Sequence, residues 1–141
     1  MIREAREADL SRLVEMGQRF LRESSYKAHL SDNPEQMRKL ARELTDRNSV
    51  LVAEEDGQII GMLGFLIYPH FLSGDLTVGE VFWWVEPQHR GAGLKLLRET
   101  ENRARLAGAS HVQMIAPNER VAGLYKRLGY SYVESSYQRT L

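Results

Sequence analysis

Val85-Glu86-Pro87-Gln88-His89-Arg90-Gly91-Ala92-Gly93-Leu94 is the stretch from which the rest of the chain can be read. Before it, Thr77 to Val85 is dense in β-branched and aromatic residues and reads as a strand, which Pro87 ends. After it, Gly93 to Ala107 reads as a helix. Leu94, Leu97, Glu101 and Ala104 lie on one stripe, and Gly108 stands where a C-terminal glycine belongs. Two glycines spaced by one residue at a strand–helix turn let backbone N–H groups converge without Cβ obstruction. The helix N-terminus adds partial positive charge, so the turn suits a pyrophosphate. Spacing alone leaves open whether the glycines serve an anion or only the turn. The stretch is not a Walker loop, because no G-x-x-x-x-G-K-[ST] is present, and it misses G-x-G-x-x-G because Leu96 stands three residues after Gly93.

Downstream, His111 to Ala116 reads as a short strand and Pro117-Asn118 breaks it. Glu119 to Leu128 reads as a short helix ended by Gly129, and Tyr132 to Leu141 as one or two closing strands. Upstream, Ile2 to Ala5 reads as a first strand. Asp9 is a cap for a helix carrying Leu10, Leu13, Val14, Gly17 and Leu21. The polar stretch Ser24 to Asn33 leads to a second helix that opens at Pro34 and carries Met37, Leu40, Ala41 and Leu44 on one face. Val50 to Ala53 and Ile59 to Tyr68 read as strands joined by a tight turn at Glu55-Asp56-Gly57-Gln58, and Tyr68 to Asp75 as a loop. The helix between strands 77–85 and 111–116 predicts a βαβ-like crossover. Asn118 and Tyr125 are seven residues apart, two helical turns, so they look in similar directions. Their structural reading is an N-cap and a packed tyrosine.

Gln88, Gly91 and Gly93, followed about 25 residues later by Asn118, Tyr125 and Leu128-Gly129-Tyr130, resemble the paired motifs of the GNAT superfamily of acyl-CoA-dependent N-acetyltransferases. The order of elements and the start Ile2-Arg3-Glu4-Ala5 with Asp9-Leu10 are similar too, so the resemblance covers nearly the whole chain. It implies an α/β (α+β) fold, one domain over residues 1–141, with a mixed central sheet of about six to seven strands flanked by about four helices. It also implies acetyl-CoA as cosubstrate. Backbone N–H groups from Arg90, Gly91, Ala92, Gly93, Leu94 and Lys95 would meet the pyrophosphate. The backbone of Val85, with Trp83, would pair with the pantetheine arm, Asn118 would hydrogen-bond that arm, and Tyr125 would protonate the departing thiolate. Lys95 departs from the Gly or Ala common in the family, without harm to backbone contacts.

An alkylammonium must lose a proton before its nitrogen can attack a thioester. Glu80 is the leading base: a carboxylate in an apolar and aromatic run, five residues before Val85, sharing a face with Phe82 and Trp84 by strand alternation. Such a site raises a carboxyl pKa and suits proton uptake, directly or through water. The position resembles the glutamate of phosphinothricin-type acetyltransferases. A solvated strand glutamate is the other reading, and His70 and His111 compete for the role. The four histidines (29, 70, 89 and 111) show no ligand spacing, so no metal is expected. Trp83 and Trp84 must point to opposite faces, with one or both in the core and one free to line an acceptor pocket or a dimer contact. The expected reaction is direct acetyl transfer to a primary amine, with no acyl-enzyme. The alternative is a non-catalytic acyl-CoA-binding or regulatory module.

Composition sets the frame for these residues. The chain has 141 residues and no cysteine, which excludes disulfides, zinc–thiolate sites and a thiol nucleophile. Lys+Arg and Asp+Glu both number 19, which argues against a general nucleic-acid binder. The start is charged where a signal peptide is apolar, and Ile59 to Tyr68 is about half the ~20 residues of a membrane helix. A cytoplasmic protein is expected, with no membrane partner, and similar proteins make a homodimer an open expectation. The neutral total conceals a division. Residues 1–87 hold 10 basic and 15 acidic side chains, residues 88–127 hold 8 and 3, and residues 128–141 one of each. A basic cofactor half and an acidic acceptor half are the expectation.

Overall fold

The computed structural model describes all residues from Met1 to Leu141. Its elements in chain order are β1 (Ile2–Glu4), α1 (Leu10–Glu23), α2 (Pro34–Asp46), β2 (Val50–Glu55), β3 (Gln58–Pro69), β4 (Leu76–Val85), α3 (Gly91–Leu106), β5 (His111–Gln113) and α4 (Glu119–Arg127). Single 3₁₀ turns precede α1, follow it and precede α3. The fold is mixed α+β, and its sheet runs in the order β1-β2-β3-β4-β5. The first three pairings are antiparallel. β4 and β5 are parallel, with Thr77 opposite His111 and Gly79 opposite Gln113, and α3 supplies the crossover. That crossover is the one the strand–helix–strand reading predicts.

Local chemistry explains the element ends. Asn33 caps α2 by accepting from the Gln36 N–H at 3.1 Å, with Pro34 in the first turn. Asp56 and Gly57 both take positive φ (51° and 76°), as a two-residue turn with a matching twist requires, and they join β2 to β3.

Two cores lie on the two faces of the sheet. On one face α1 and α2 cover Leu10, Leu13, Met16, Leu44, Val50, Val52 and Met62, with Val81, Phe82 and Trp84 packed against them. On the other, α3 covers Leu51, Leu63, Phe65, Val78 and Leu96, joined by Trp83 and Val85. Burying such side chains completely contributes ~1.5–3 kcal/mol each. Two ion-pair groups brace the ends. Arg3 binds Asp9 and Glu54 at 2.8 and 2.9 Å. The buried carboxylate of Glu86, just past β4, is held by Arg12 at 3.0 Å and by Arg19, both from α1. Removing one partner of such a buried pair leaves an uncompensated charge.

The structure corrects the sequence reading of the sheet in two places. The sheet has five strands, not six or seven, because residues 130–141 form no helix or strand. Strand propensity in Tyr132, Val133 and Tyr137 becomes a strand only where a ladder partner is in register, and this segment has none within the chain. The second correction concerns β4. Gly64 pairs with Phe82 but Phe65 pairs with Glu80, so Val81 is an extra residue, a β-bulge. Val81 and Phe82 consequently both face α1 and α2, while Glu80 turns to the α3 face with Val78 and Trp83. Strict alternation, which put Glu80 with Phe82 and Trp84, fails at that one residue.

Gly64 permits the bulge. A Cβ on it would lie 2.4 Å from the tip of the Phe82 ring, which fills that space. Gly64→Ala is therefore expected to displace Phe82 and destabilise the protein by about 1–3 kcal/mol, read as a lower Tm. An unchanged Tm would show that Phe82 is not held by Gly64.

Candidate active site

The bulge opens a cleft. Pairing between β4 and β5 covers only three residues and ends at Gly79 and Gln113. Beyond it, the Glu86 N–H donates to Ile60 O at 2.8 Å, so by antiparallel alternation the N–H and C=O groups of Trp83 and Val85 point away from β3, toward the open edge. The β4 edge thus presents a short row of backbone donors and acceptors, flanked by α3 on one side and α4 on the other.

At the mouth of this cleft stands the 88–93 turn. The N–H groups of Arg90, Gly91 and Ala92 donate to no protein atom. The two glycines do different work. A Cβ on Gly93 would lie 3.2–3.3 Å from Trp83 and Val85, so Gly93 lets α3 settle onto β4. A Cβ on Gly91 would meet nothing within 4 Å, and its φ is not positive. Neither packing nor backbone conformation requires glycine there; close approach of a ligand to the N–H groups would. Lys95 and Arg90 are exposed beside the turn.

Deeper in the cleft, Glu80 and Tyr125 meet at one residue. Glu80 Oε2 accepts from the Ile115 N–H at 2.8 Å, and Tyr125 Oη donates to Ile115 O at 3.0 Å. Tyr125 stacks on Trp83 with ring centroids 6.0 Å apart and packs tilted against Tyr130 at 5.4 Å. Burial pushes the Glu80 carboxyl up to about 7, partly opposed by the Ile115 N–H. Burial, and next the nearby Glu80 charge, hold Tyr125 well above the usual phenol range, so its hydroxyl stays protonated. Asn118 caps α4, accepting from the Val121 N–H at 3.0 Å, which leaves its amide NH₂ as a donor.

A family model for the acetyltransferase (GNAT) family matches residues 12–130. The chain belongs to that family. No curated protein matches it in sequence. Solved structures share its fold at low identity. They include a ribosomal-protein-alanine N-acetyltransferase from Brucella melitensis biovar Abortus 2308 (20% identity, TM-score 0.72, covering 100% of this chain and 99% of that one). An aminoglycoside antibiotic 6'-N-acetyltransferase from Acinetobacter haemolyticus is similar at 21% identity and TM-score 0.73, covering 100% and 97%. A predicted acetyltransferase from Clostridium acetobutylicum, solved with acetyl-CoA, is similar at 20% identity and TM-score 0.74, covering 99% and 95%.

In this GNAT chain the residues read from the sequence fall into two groups. Glu80, Trp83 and Tyr125 come together beside the open β4 edge, Gly93 packs on Trp83 and Val85, and Asn118 caps α4, while Arg90, Gly91, Ala92 and Lys95 line a cavity shared with Ile2, Glu54 and Ile60. His70 does not join them: it stacks on Phe71 at 4.8 Å, and its Nδ1 accepts from the Leu72 N–H at 3.2 Å within its own loop. His111 opens β5 and is exposed. Trp84 faces α1, edge-on to Phe20 with Arg19 over its ring, so it packs rather than lines the cleft. Of the basic block, Arg103 turns away to Glu4 and Glu99, which corrects its assignment to a cofactor half. Arg90, Lys95, Arg98, Arg120, Lys126 and Arg127 have no acidic partner. The structure holds no group of three His, Cys, Asp or Glu side chains placed for a metal, and no helix long and apolar enough to cross a membrane.

Sequence reasoning missed Ile115, whose peptide contacts both polar side chains, and the Gly64–Phe82 contact that turns Glu80. A main-chain clamp leaves no signature in residue type. Gly64 did leave one, since a glycine inside an apolar strand marks a bulge or a close approach.

Two outcomes are expected. Gly91→Ala should leave Tm unchanged or slightly higher yet weaken CoA binding tenfold or more, about 1.4 kcal/mol, by calorimetry; equal affinity would mean that no phosphate approaches Gly91. Glu80 carries a folded pKa of about 7 against the ordinary 4.5, so the stability it contributes at low pH is lost as pH rises through that window. Glu80→Gln should therefore gain Tm relative to the parent at pH 8 and not at pH 4. A pH-independent difference would contradict the raised pKa.

Proposed function

We propose that the protein transfers acetyl from acetyl-CoA directly to a primary amine. The single observation that carries this reading is the convergence of Glu80 and Tyr125 on Ile115 beside an open strand edge and a turn with three free N–H donors. The residues present fit the cosubstrate. Arg90, Gly91 and Ala92 would hold its pyrophosphate through main-chain N–H groups, with Gly93, Leu94 and Lys95 completing the turn. Val85 and Trp83 would pair with the pantetheine arm as an added strand, and the Asn118 amide would donate to it. Acetyl-CoA supplies an activated thioester; the chain supplies placement and proton transfer.

Glu80, deprotonated above about pH 7, takes a proton from the acceptor ammonium, directly or through water. The freed nitrogen lone pair forms the new C–N bond as the C–S bond breaks, and the second proton that the nitrogen sheds as it becomes an amide restores the Tyr125 hydroxyl once that group has protonated the sulfur. An N–H on the β4 edge stabilises negative charge on the carbonyl oxygen, the role of an oxyanion hole. Tyr125, kept protonated by burial, delivers its proton to the departing sulfur in place of Ile115 O. No thiol nucleophile takes part, in keeping with a chain that has no cysteine. The family neighbours act on a protein alanine and on an aminoglycoside by their names. Both acceptors are amines, and the class proposed here goes no finer.

Steady-state CoA release with a panel of amines tests these roles. Glu80→Gln and Tyr125→Phe should each lower kcat about 10²–10⁴-fold. In the parent, kcat/KM should rise with pH through about 7, and Glu80→Gln should lose that rise. Unchanged rates in both variants would sink the assignments. Tight CoA binding with no turnover on any amine would favour a binding or regulatory module.

A further inference from the structure

Glu101 is the charged residue on the stripe of α3 that runs through Leu94, Leu97, Glu101 and Ala104, and it lies outside the proton transfers of the cleft. Its side chain is 26% exposed, with Arg105 one turn along the helix at 3.8 Å. Its Oε1 accepts from the Tyr130 hydroxyl at 2.7 Å, a bond that reaches from α3 to the segment just past α4. Burial, and next the bond to Glu101, hold Tyr130 well above the usual phenol range, so its hydroxyl stays a donor. A polar side chain is tolerated on a packed stripe when a partner satisfies it, and here the partner is Tyr130.

The end of α4 ties Tyr130 to Tyr125. Gly129 takes a positive φ of 89° and turns the chain back. The Gly129 N–H donates to Lys126 O at 3.2 Å and the Tyr130 N–H to Tyr125 O at 3.0 Å, the two bonds of a Schellman cap. Such a cap brings the residue after the glycine against the last helical turn, and the Tyr130 ring accordingly packs on Tyr125 at 5.4 Å. Tyr125 is the buried side chain of α4. Beyond Pro117, the hydrogen bonds that leave this segment for the body of the protein are Tyr125 Oη to Ile115 O, Tyr130 Oη to Glu101, and the contact of Thr140 Oγ1 with His29 Nδ1 far along the tail. When Tyr125 gives up Ile115 O to protonate the sulfur, the Glu101–Tyr130 bond is what still holds the end of α4 on α3.

We propose that Glu101 is a positioning residue for the acid Tyr125 and acts through the Tyr130 hydroxyl. Glu101 fixes Tyr130 on α3. Tyr130 holds the Tyr125 ring on Trp83, 6.0 Å between centroids. Tyr125 thereby keeps its line to the sulfur while its own hydroxyl changes partner. The inference rests on the reading of Tyr125 as the general acid. A displacement of about 1 Å at such a group costs on the order of 10²-fold in rate. Acetyl-CoA, held by main-chain groups of β4 and the 90–92 turn, binds as before when the Glu101–Tyr130 bond is lost.

Tyr130→Phe removes one oxygen and keeps the ring, and Glu101→Gln keeps an acceptor, so the bond can be separated from the packing. Tyr130→Phe and Glu101→Ala should each lower kcat about 10–100-fold, with the circular dichroism and the KM for acetyl-CoA close to those of the parent. The double variant should be no slower than the slower single one, because one bond joins the two residues. Glu101→Gln should recover most of the parental kcat. In a Tyr125→Phe chain, neither substitution should slow turnover further. Parental kcat in Tyr130→Phe and Glu101→Ala would overturn the proposal while leaving Tyr125 as the acid. So would full additivity with Tyr125→Phe, or a rise in KM that accounts for the loss, since either marks a contribution to folding or binding alone. A Tyr125→Phe chain as fast as the parent would instead remove the acid reading, and this inference with it. Amide exchange across α4 needs no turnover: Tyr130→Phe and Glu101→Ala should quicken it, and exchange at the parental rate would show that the bond does not hold α4.

Discussion

Val81 is one residue too many for the ladder between β3 and β4, and the candidate site follows from that excess. A bulge bends its strand and disrupts local pairing. Here the bend coincides with the end of pairing to β5 at Gly79. It reverses which way Glu80 faces and leaves the backbone of Trp83 and Val85 turned toward an open edge. Gly64 makes room for the bulge because the Phe82 ring occupies the space of its missing side chain. A sheet without the bulge would bury Phe82 and Glu80 on one face and would have no reason to part β4 from β5.

Around that opening, burial does two jobs with opposite costs. It raises the Glu80 carboxyl into the range where it can exchange protons near neutrality, and it keeps Tyr125 protonated. It also means that the folded state tolerates an ionised Glu80 poorly, so the site is held at some expense in stability. The protein compensates with fixed partners: the Ile115 peptide meets both side chains, and Tyr125 lies between Trp83 and Tyr130. At the mouth of the cleft the balance is different. The free N–H groups of Arg90 to Ala92 lie in an exposed turn where water satisfies them cheaply, so leaving them open for an anion costs little.

Much of this was legible in the chain because it rests on local chemistry. Asp56-Gly57 dictates a hairpin, Pro34 and Asn33 a helix start, and the 88–93 glycines a strand–helix turn. The paired motifs at 88–93 and 118–130 carried the family. What escaped depends on contacts distant in sequence. Alternation placed Glu80 beside Phe82 and Trp84, and only the pairing of β4 with β3 shows the extra residue between them. The closing strands failed for a related reason: Tyr132, Val133 and Tyr137 have the composition of a strand, but a strand also needs a partner. Arg103 was counted with the cofactor half by position, whereas the fold sends it to Glu4, ninety-nine residues away in sequence.

Amide hydrogen–deuterium exchange with and without acetyl-CoA tests the open β4 edge most directly. Protection should appear at Trp83, Val85 and Arg90 to Ala92, whose N–H groups lack protein acceptors or face the open edge. Trp84, whose N–H lies on the β3 side, should change little. Protection confined to other segments, or none at saturating acetyl-CoA, would contradict the placement of the donor site between β4 and β5.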